Sequence, residues 1–175
     1  MKTIKRAIPL ALTLALLLCA CAPKQPQTSG KTPEEYAEAY TSAIEGARND
    51  EMNEYFPVQT NTDGFPTEVD KEMTFTVLGF TAADADAYGI SLSLMNVSAY
   101  AIVAVKPAEG KEETVKTGLE NYVESQKASF ENYLEDQYEI ASSAKLDTLD
   151  DGTILLVMSE GQDEIFNSIK DALSK

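Results

Sequence analysis

LSLMNVSAYAIVAVK, residues Leu92–Lys106, is the stretch on which the fold turns. Val97, Ala99, Ala101, Val103 and Val105 alternate with Tyr100, Ile102 and Ala104, which predicts one long strand, apolar on both faces and stopped by Pro107. Such a strand needs cover on both sides of its sheet and belongs in the interior. TILLVMS, residues Thr153–Ser159, has the same character. Between them, Lys111–Asp136 carries Val115, Leu119, Tyr122, Val123, Phe130, Tyr133 and Leu134 along one side, predicting a helix about 40 Å long. Tyr138–Asp147 alternates, with Tyr138, Ile140, Ala144 and Leu146 facing in, and Asp150-Asp151-Gly152 signals a hairpin. The predicted order is β-α-β-β-α. Thr153–Ser159 is placed between Leu92–Lys106 and Tyr138–Asp147, antiparallel to both. The expected class is α+β, with a mostly antiparallel, split βαβ-like sheet packed by the long helix.

Outward from that core the signals are more local. Thr32-Pro33-Glu34-Glu35 offers an N-cap, a proline at the first helical position and a capping-box glutamate. Tyr36, Tyr40, Ala43, Ile44 and Ala47 follow at helical spacing, giving an added N-terminal helix. Asn49–Asp70, with Pro57, Gly64 and Pro66 among polar residues, reads as mostly irregular. Glu72–Phe80 alternates Met73, Phe75 and Val77 and is predicted as a strand. Thr81 is expected to cap a short helix over Ala82–Tyr88, ended by Gly89. Ser159 and Gln162 form a predicted capping box for a last helix bearing Ile165, Phe166, Ile169 and Leu173.

The N-terminus reads as an address. Lys2, Lys5 and Arg6 precede an apolar run from Ala7 to Leu18, too short to cross about 30 Å of hydrocarbon and of signal-peptide length. Leu18-Cys19-Ala20-Cys21 fits a lipoprotein processing site, with Ala20 as the small residue before the cut. Residues 1–20 are the expected signal peptide and Cys21 the lipidated first residue, carrying palmitate-type acyl chains. Residues 21–32 are poor in large apolar groups and rich in Pro, Gln and Ser, a flexible tether to a single domain over 33–175. The expected location is the cell membrane, on its extracytoplasmic side.

The chain has 14 basic and 29 acidic residues. Loss of Lys2, Lys5 and Arg6 with the signal leaves 11 basic against 29 acidic, a net charge near −18. That charge opposes nucleic acid and anionic headgroups, which require basic surface. No histidine is present, which removes Ser-His-Asp and Cys-His catalysis and His-ligated metals. Both cysteines, Cys19 and Cys21, lie in the signal region, so the domain has no disulfide, Cys-zinc site or cysteine nucleophile. Nucleotide and α/β-hydrolase motifs are absent, and no cofactor is expected. Asp147, Asp150 and Asp151 miss the spacing of a calcium loop and read as a solvated turn. Asp84 and Asp86 read as part of a short exposed helix, and Tyr36, Tyr40, Tyr122 and Tyr133 as core. The sequence offers no catalytic or metal-binding residue. Its one weak candidate for ligand contact is Asn96, a polar interruption of an apolar strand.

Leu94-Met95-Asn96-Val97-Ser98-Ala99, Tyr88-Gly89-Ile90, Tyr133-Leu134-Glu135-Asp136-Gln137-Tyr138 and the closing ILLVMSE strand resemble the domain of unknown function 4358 family of small Firmicute lipoproteins. The resemblance covers about 73–173. It implies an envelope setting and brings no activity, cofactor or catalytic residue. The expected function is therefore a membrane-anchored, non-enzymatic binding or protein-interaction module, taking an envelope protein or a small ligand. A carboxylate-dependent enzyme or metal-binding accessory protein acting on cell-wall material is the alternative.

Overall fold

In the computed structural model, which describes Gly30–Lys175, five strands form one sheet in the order β1-β2-β3-β5-β4, every neighbouring pair antiparallel. The expected signal peptide, Cys21 and most of the expected tether lie outside the described residues. The elements are α1 (Pro33–Gly46), α2 (Asp50–Tyr55), β1 (Gln59–Thr60), α3 (Glu68–Leu78), β2 (Ala85–Leu92), β3 (Ala101–Pro107), α4 (Glu112–Phe130), α5 (Glu135–Ser142), β4 (Lys145–Thr148), β5 (Ile154–Met158) and α6 (Gln162–Leu173). A single 3-10 turn, Ala82–Asp84, precedes β2. The fold is α+β, with helices on both sides of the sheet.

β5 lies between β3 and β4 and runs antiparallel to each, so β3 and β4 are parallel strands split by it. Its five residues are all buried, as are Ala101–Val105 of β3. One face, with Ile90, Val103, Val105, Leu156 and Met158, packs under α3, α4 and α5 through Phe75, Leu78, Leu119, Phe130 and Ala141. The opposite face, with Ala87, Ile102, Ala104, Leu155 and Val157, packs under α1 and α6 through Tyr40, Ile44, Phe166 and Ile169. Burial of such side chains stabilises by about 1.5–3 kcal/mol each.

Several local expectations are corrected. Leu92–Lys106 is not one strand: β2 and β3 form a hairpin with Leu92 opposite Ala101, and the intervening loop is tied by the Ser93 amide donating to Tyr100 O at 2.9 Å. Ser93 Oγ accepts the Met95 amide at 3.2 Å, an ST-turn that ends strand geometry and leaves Leu94, Met95 and Val97 exposed. Ala85–Leu92 is strand rather than the tail of a helix, and Gly89 lies directly under α1. A Cβ there would come within 2.7 Å of Tyr40 Cβ, so the glycine permits the close approach of helix to sheet.

Glu72–Phe80 belongs largely to helix α3. Phe75 and Leu78 face the core one turn apart, while Val69, Met73 and Val77 form an outer stripe at four-residue spacing; the short alternation fitted either period. Asn49–Asp70 holds α2 and β1 and the start of α3, each of the two helices capped by a side chain, Asn49 or Thr67. The predicted long helix ends at Phe130, and its 19 residues span about 28 Å. Leu134 then takes extended geometry, and α5 turns back so that Leu134, Tyr138 and Ile140 pack against the same cluster as Phe130. Tyr138–Ser142 is therefore helical, and only Lys145–Thr148 pairs with β5. Tyr133, in the turn, is exposed rather than core. The expected box at α6 is half formed: Gln162 Oε1 accepts the Ser159 amide at 3.4 Å, but Gly161 is the N-cap and no side chain caps it.

Candidate functional site

Arg48 is delivered by two helix ends. Ala47 caps the C-terminus of α1, and Asn49 starts α2 by accepting the Met52 amide at 2.8 Å. The guanidinium is then fixed on one side. Its Nε donates to Asn53 Oδ1 at 2.9 Å, and its Nη1 lies 3.0 Å from Phe56 O, 2.7 Å from Ser91 Oγ and 2.6 Å from Tyr100 Oη. Phe56 stacks on Tyr100 with ring centroids 4.2 Å apart, closing that side. The other nitrogen, Nη2, is buried and has no partner among the described residues. No carboxylate there forms an ion pair with Arg48, although the chain carries 29 acids.

Ser159 lies at the end of β5, just before α6. It is 4 % exposed, and its Oγ has no partner among the described residues. Between Arg48 and Ser159 runs the segment Ser98–Tyr100, held by Gln137 of α5, whose Oε1 accepts the Ala99 amide at 2.8 Å. Two stretches far apart in sequence, the loop after Asn96 and the Gln137-Tyr138 junction, are joined by that bond.

These elements line a cavity of about 490 Å³. Arg48 and Ser159 line it, as do Ser98, Tyr100 and Gln137. Met52, Phe56, Ile140 and Ile165, all half-buried, supply apolar wall, and Glu160 and Glu164 stand exposed at its edge. The uncapped N-terminus of α6 borders it at Gly161, adding the partial positive charge of unsatisfied amides. Mixed apolar walls with a few convergent polar groups, at this volume, suit a small-molecule ligand.

The residues singled out in the sequence fall elsewhere. Asn96 is exposed in the β2–β3 loop and does not line the cavity, although its neighbour Ser98 does. Cys21 lies outside the described residues. Asp151 is used inside the hairpin, where its carboxylate accepts the Thr153 amide at 2.9 Å and the Thr153 hydroxyl at 3.0 Å; Asp147 lies 3.6 Å from Lys170. Asp84 is buried rather than exposed. Its Oδ1 pairs with Lys111 at 2.8 Å and its Oδ2 accepts the Thr81 amide and hydroxyl, so its carboxyl is lowered from 3.8 to about 2. No three His, Cys, Asp or Glu side chains among the described residues are grouped to hold a metal ion. Tyr36, Tyr40 and Tyr122 are core, as expected. Arg48 and Ser159 escaped the sequence reading. Arg48 is the sole arginine after Arg6, which singles it out in composition without saying where it sits.

No helix among the described residues is long and apolar enough to cross a membrane. No curated protein and no solved structure is significantly similar to the chain. A family model described as domain of unknown function matches residues 59–159, which include the Ser98–Tyr100, Gln137 and Ser159 side of the cavity and leave the Arg48 side and α6 outside. With more than half of its 175 residues matched, the chain belongs to the family of domain of unknown function DUF4358.

Proposed function

We propose that this protein is a bacterial envelope lipoprotein, held at the extracytoplasmic face of the cell membrane through Cys21, and that its domain is a non-enzymatic binding module using the Arg48–Ser159 cavity. The observation that carries the binding reading is that two buried, unpartnered groups, Arg48 Nη2 and Ser159 Oγ, belong to residues lining one cavity. A buried polar group without a partner costs about 1–3 kcal/mol, more when charged, and a ligand acceptor offsets that cost. The lipobox at Leu18–Cys21 carries the anchoring reading. The chain enters α1 at Pro33, and Arg48 follows its other end, about 20 Å away along a 14-residue helix. The cavity therefore lies past the end of α1 remote from Pro33, where the chain enters the helix.

The test uses the full chain in a Gram-positive host grown with labelled palmitate. The expected result is label on the protein and sedimentation with membranes, both lost in Cys21→Ala. Unlabelled, freely released wild-type protein would overturn the anchoring reading. Turnover of wall material by the purified protein, abolished by changes in the cavity, would overturn the non-enzymatic one.

A further inference from the structure

The polar groups of the residues lining the cavity are sorted by exposure. Ser159 Oγ and Arg48 Nη2 are buried without acceptors, and Arg48 has no carboxylate partner among the described residues. A guanidinium in that position lacks the anion that normally accompanies a buried charge. At the rim, Glu160 and Glu164 are exposed. Phe56 and Ile165, which also line it, are half-buried and apolar.

From this sorting we infer that the cavity binds a short zwitterionic peptide or amino acid, its carboxylate on Arg48 and Ser159, its apolar side chain against Phe56 and Ile165, and its ammonium toward Glu160 and Glu164. The inference rests on the binding-module reading and names its ligand class. With Nε and Nη1 engaged by the protein, Arg48 offers a carboxylate the N–H groups of Nη2 alone, one charge-assisted donor nitrogen and not a bidentate fork. Ser159 and the amide end of α6 add donors without adding charge. A phosphate ester does not fit, because a dianion would meet two glutamates at the rim and no lysine among the described residues lines the cavity. A fatty acid satisfies the buried donors and leaves the acidic rim unanswered. The zwitterion complements both, and a volume of about 490 Å³ accommodates a di- or tripeptide.

Isothermal titration of the full chain in detergent tests this with four probes: leucine, Leu-Leu, Leu-Leu amide and N-acetyl-Leu-Leu. Leu-Leu or leucine is expected to bind in the micromolar range, and the comparison of the two shows which size is preferred. The amide, which lacks the carboxylate, is expected to bind at least about 30-fold more weakly, and the N-acetyl form about 3–10-fold more weakly, since its lost partners are exposed. Ser159→Ala should weaken Leu-Leu about 5–10-fold without changing the folded state. Arg48→Lys, which keeps the charge but loses Nη2 and the hydrogen bonds that position the side chain, should weaken it further; circular dichroism checks that this variant folds. Equal affinity for Leu-Leu and its amide would overturn the inference. So would failure of all four probes accompanied by binding of a neutral glycan or lipid sensitive to Ser159→Ala, a result that leaves the binding module standing. No saturable binding by peptides, glycans or lipids would overturn both.

Discussion

The two ends of α1 bury polar groups in opposite ways. At its N-terminal half the network is closed. Thr32 and Glu35 complete a capping box, with the Thr32 amide donating to Glu35 Oε2 at 2.6 Å and the Glu35 amide donating to Thr32 Oγ1 at 3.3 Å. Tyr40 Oη lies 2.8 Å from Thr153 Oγ1, and the Thr153 hydroxyl donates to Asp151 Oδ2 at 3.0 Å. A threonine has one hydroxyl proton, already given to Asp151, so Tyr40 is the donor to Thr153. Burial and the nearby Asp151 raise the Tyr40 phenol, which keeps that proton in place. Lys106 Nζ donates to Asp151 O and sits over the Tyr36 ring. Each of these side chains, Tyr40, Thr153, Asp151 and Lys106, has a hydrogen-bond partner. Past the C-terminal end, Arg48 Nη2 and Ser159 Oγ meet none among the described residues. One network is finished by the fold and the other is not. A missing partner does not by itself mark a binding site, since Tyr122 Oη is also buried without one in the core; Arg48 and Ser159 differ from it in lining one cavity, the ground of the proposed function.

The largest expected effect comes from breaking the closed end. Tyr40 is fully buried, touches Gly89 of β2 and anchors the Thr153–Asp151 turn. Tyr40→Ala should cost about 3–5 kcal/mol in urea unfolding, the range for deleting a buried aromatic ring. A loss below about 1 kcal/mol would mean that α1 is not seated on the sheet as described.

The sharpest comparison sets Thr153→Val against Ser159→Ala. Thr153 is fully buried, and its hydroxyl bridges Tyr40 and Asp151. Removing it leaves both without that partner and should cost about 1–3 kcal/mol. Ser159→Ala removes a hydroxyl that has no partner to abandon, so stability without ligand should stay within about 0.5 kcal/mol or rise. Equal losses in the two variants would show that Ser159 is bonded in the free protein, and the contrast between the ends of α1 would collapse.

The sequence made the finished parts of the molecule legible and the unfinished part illegible, for a physical reason. Apolar periodicity reports burial. TILLVMS reads as central and antiparallel to both neighbours because both its faces are apolar, and the structure agrees. The capping signal at Thr32 and the Asp150–Gly152 hairpin were local enough to read directly. Errors arose where short segments fit two periods. Phe75 and Leu78 served a helix although Met73, Phe75 and Val77 alternated, and Tyr138 and Ile140 did the same in α5. The β2–β3 loop was hidden because Val97 and Ala99 continue the alternation of β3 through a turn made by Ser93. Arg48 and Ser159 carry no period at all. Their significance is an absent partner, created only when residues 48, 91, 100 and 159 are brought together, and no one-dimensional pattern records it.

A smaller effect sharpens the contrast from the side of charge. Asp84 is the finished counterpart of Arg48: a buried charge whose partners are all present, Lys111 at 2.8 Å and the Thr81 amide and hydroxyl at 2.9 and 2.6 Å. The hydrogen bonds and ion pair hold its carboxyl at about 2, below the 3.8 expected without them. A folded-state value below the unfolded one means that the native protein binds the proton less readily, so stability is complete above the unfolded value and drains away as pH falls. Between about pH 5 and pH 2 the wild type should therefore lose about 1–2 kcal/mol that Asp84→Asn does not lose, after the acid effects common to both cancel. Urea midpoints measured in parallel across that range should converge as the pH falls. If they stay a constant distance apart, the Asp84 carboxylate is not held by its charge partners, and a buried charge with a complete set of neighbours differs less from Arg48 than the geometry requires.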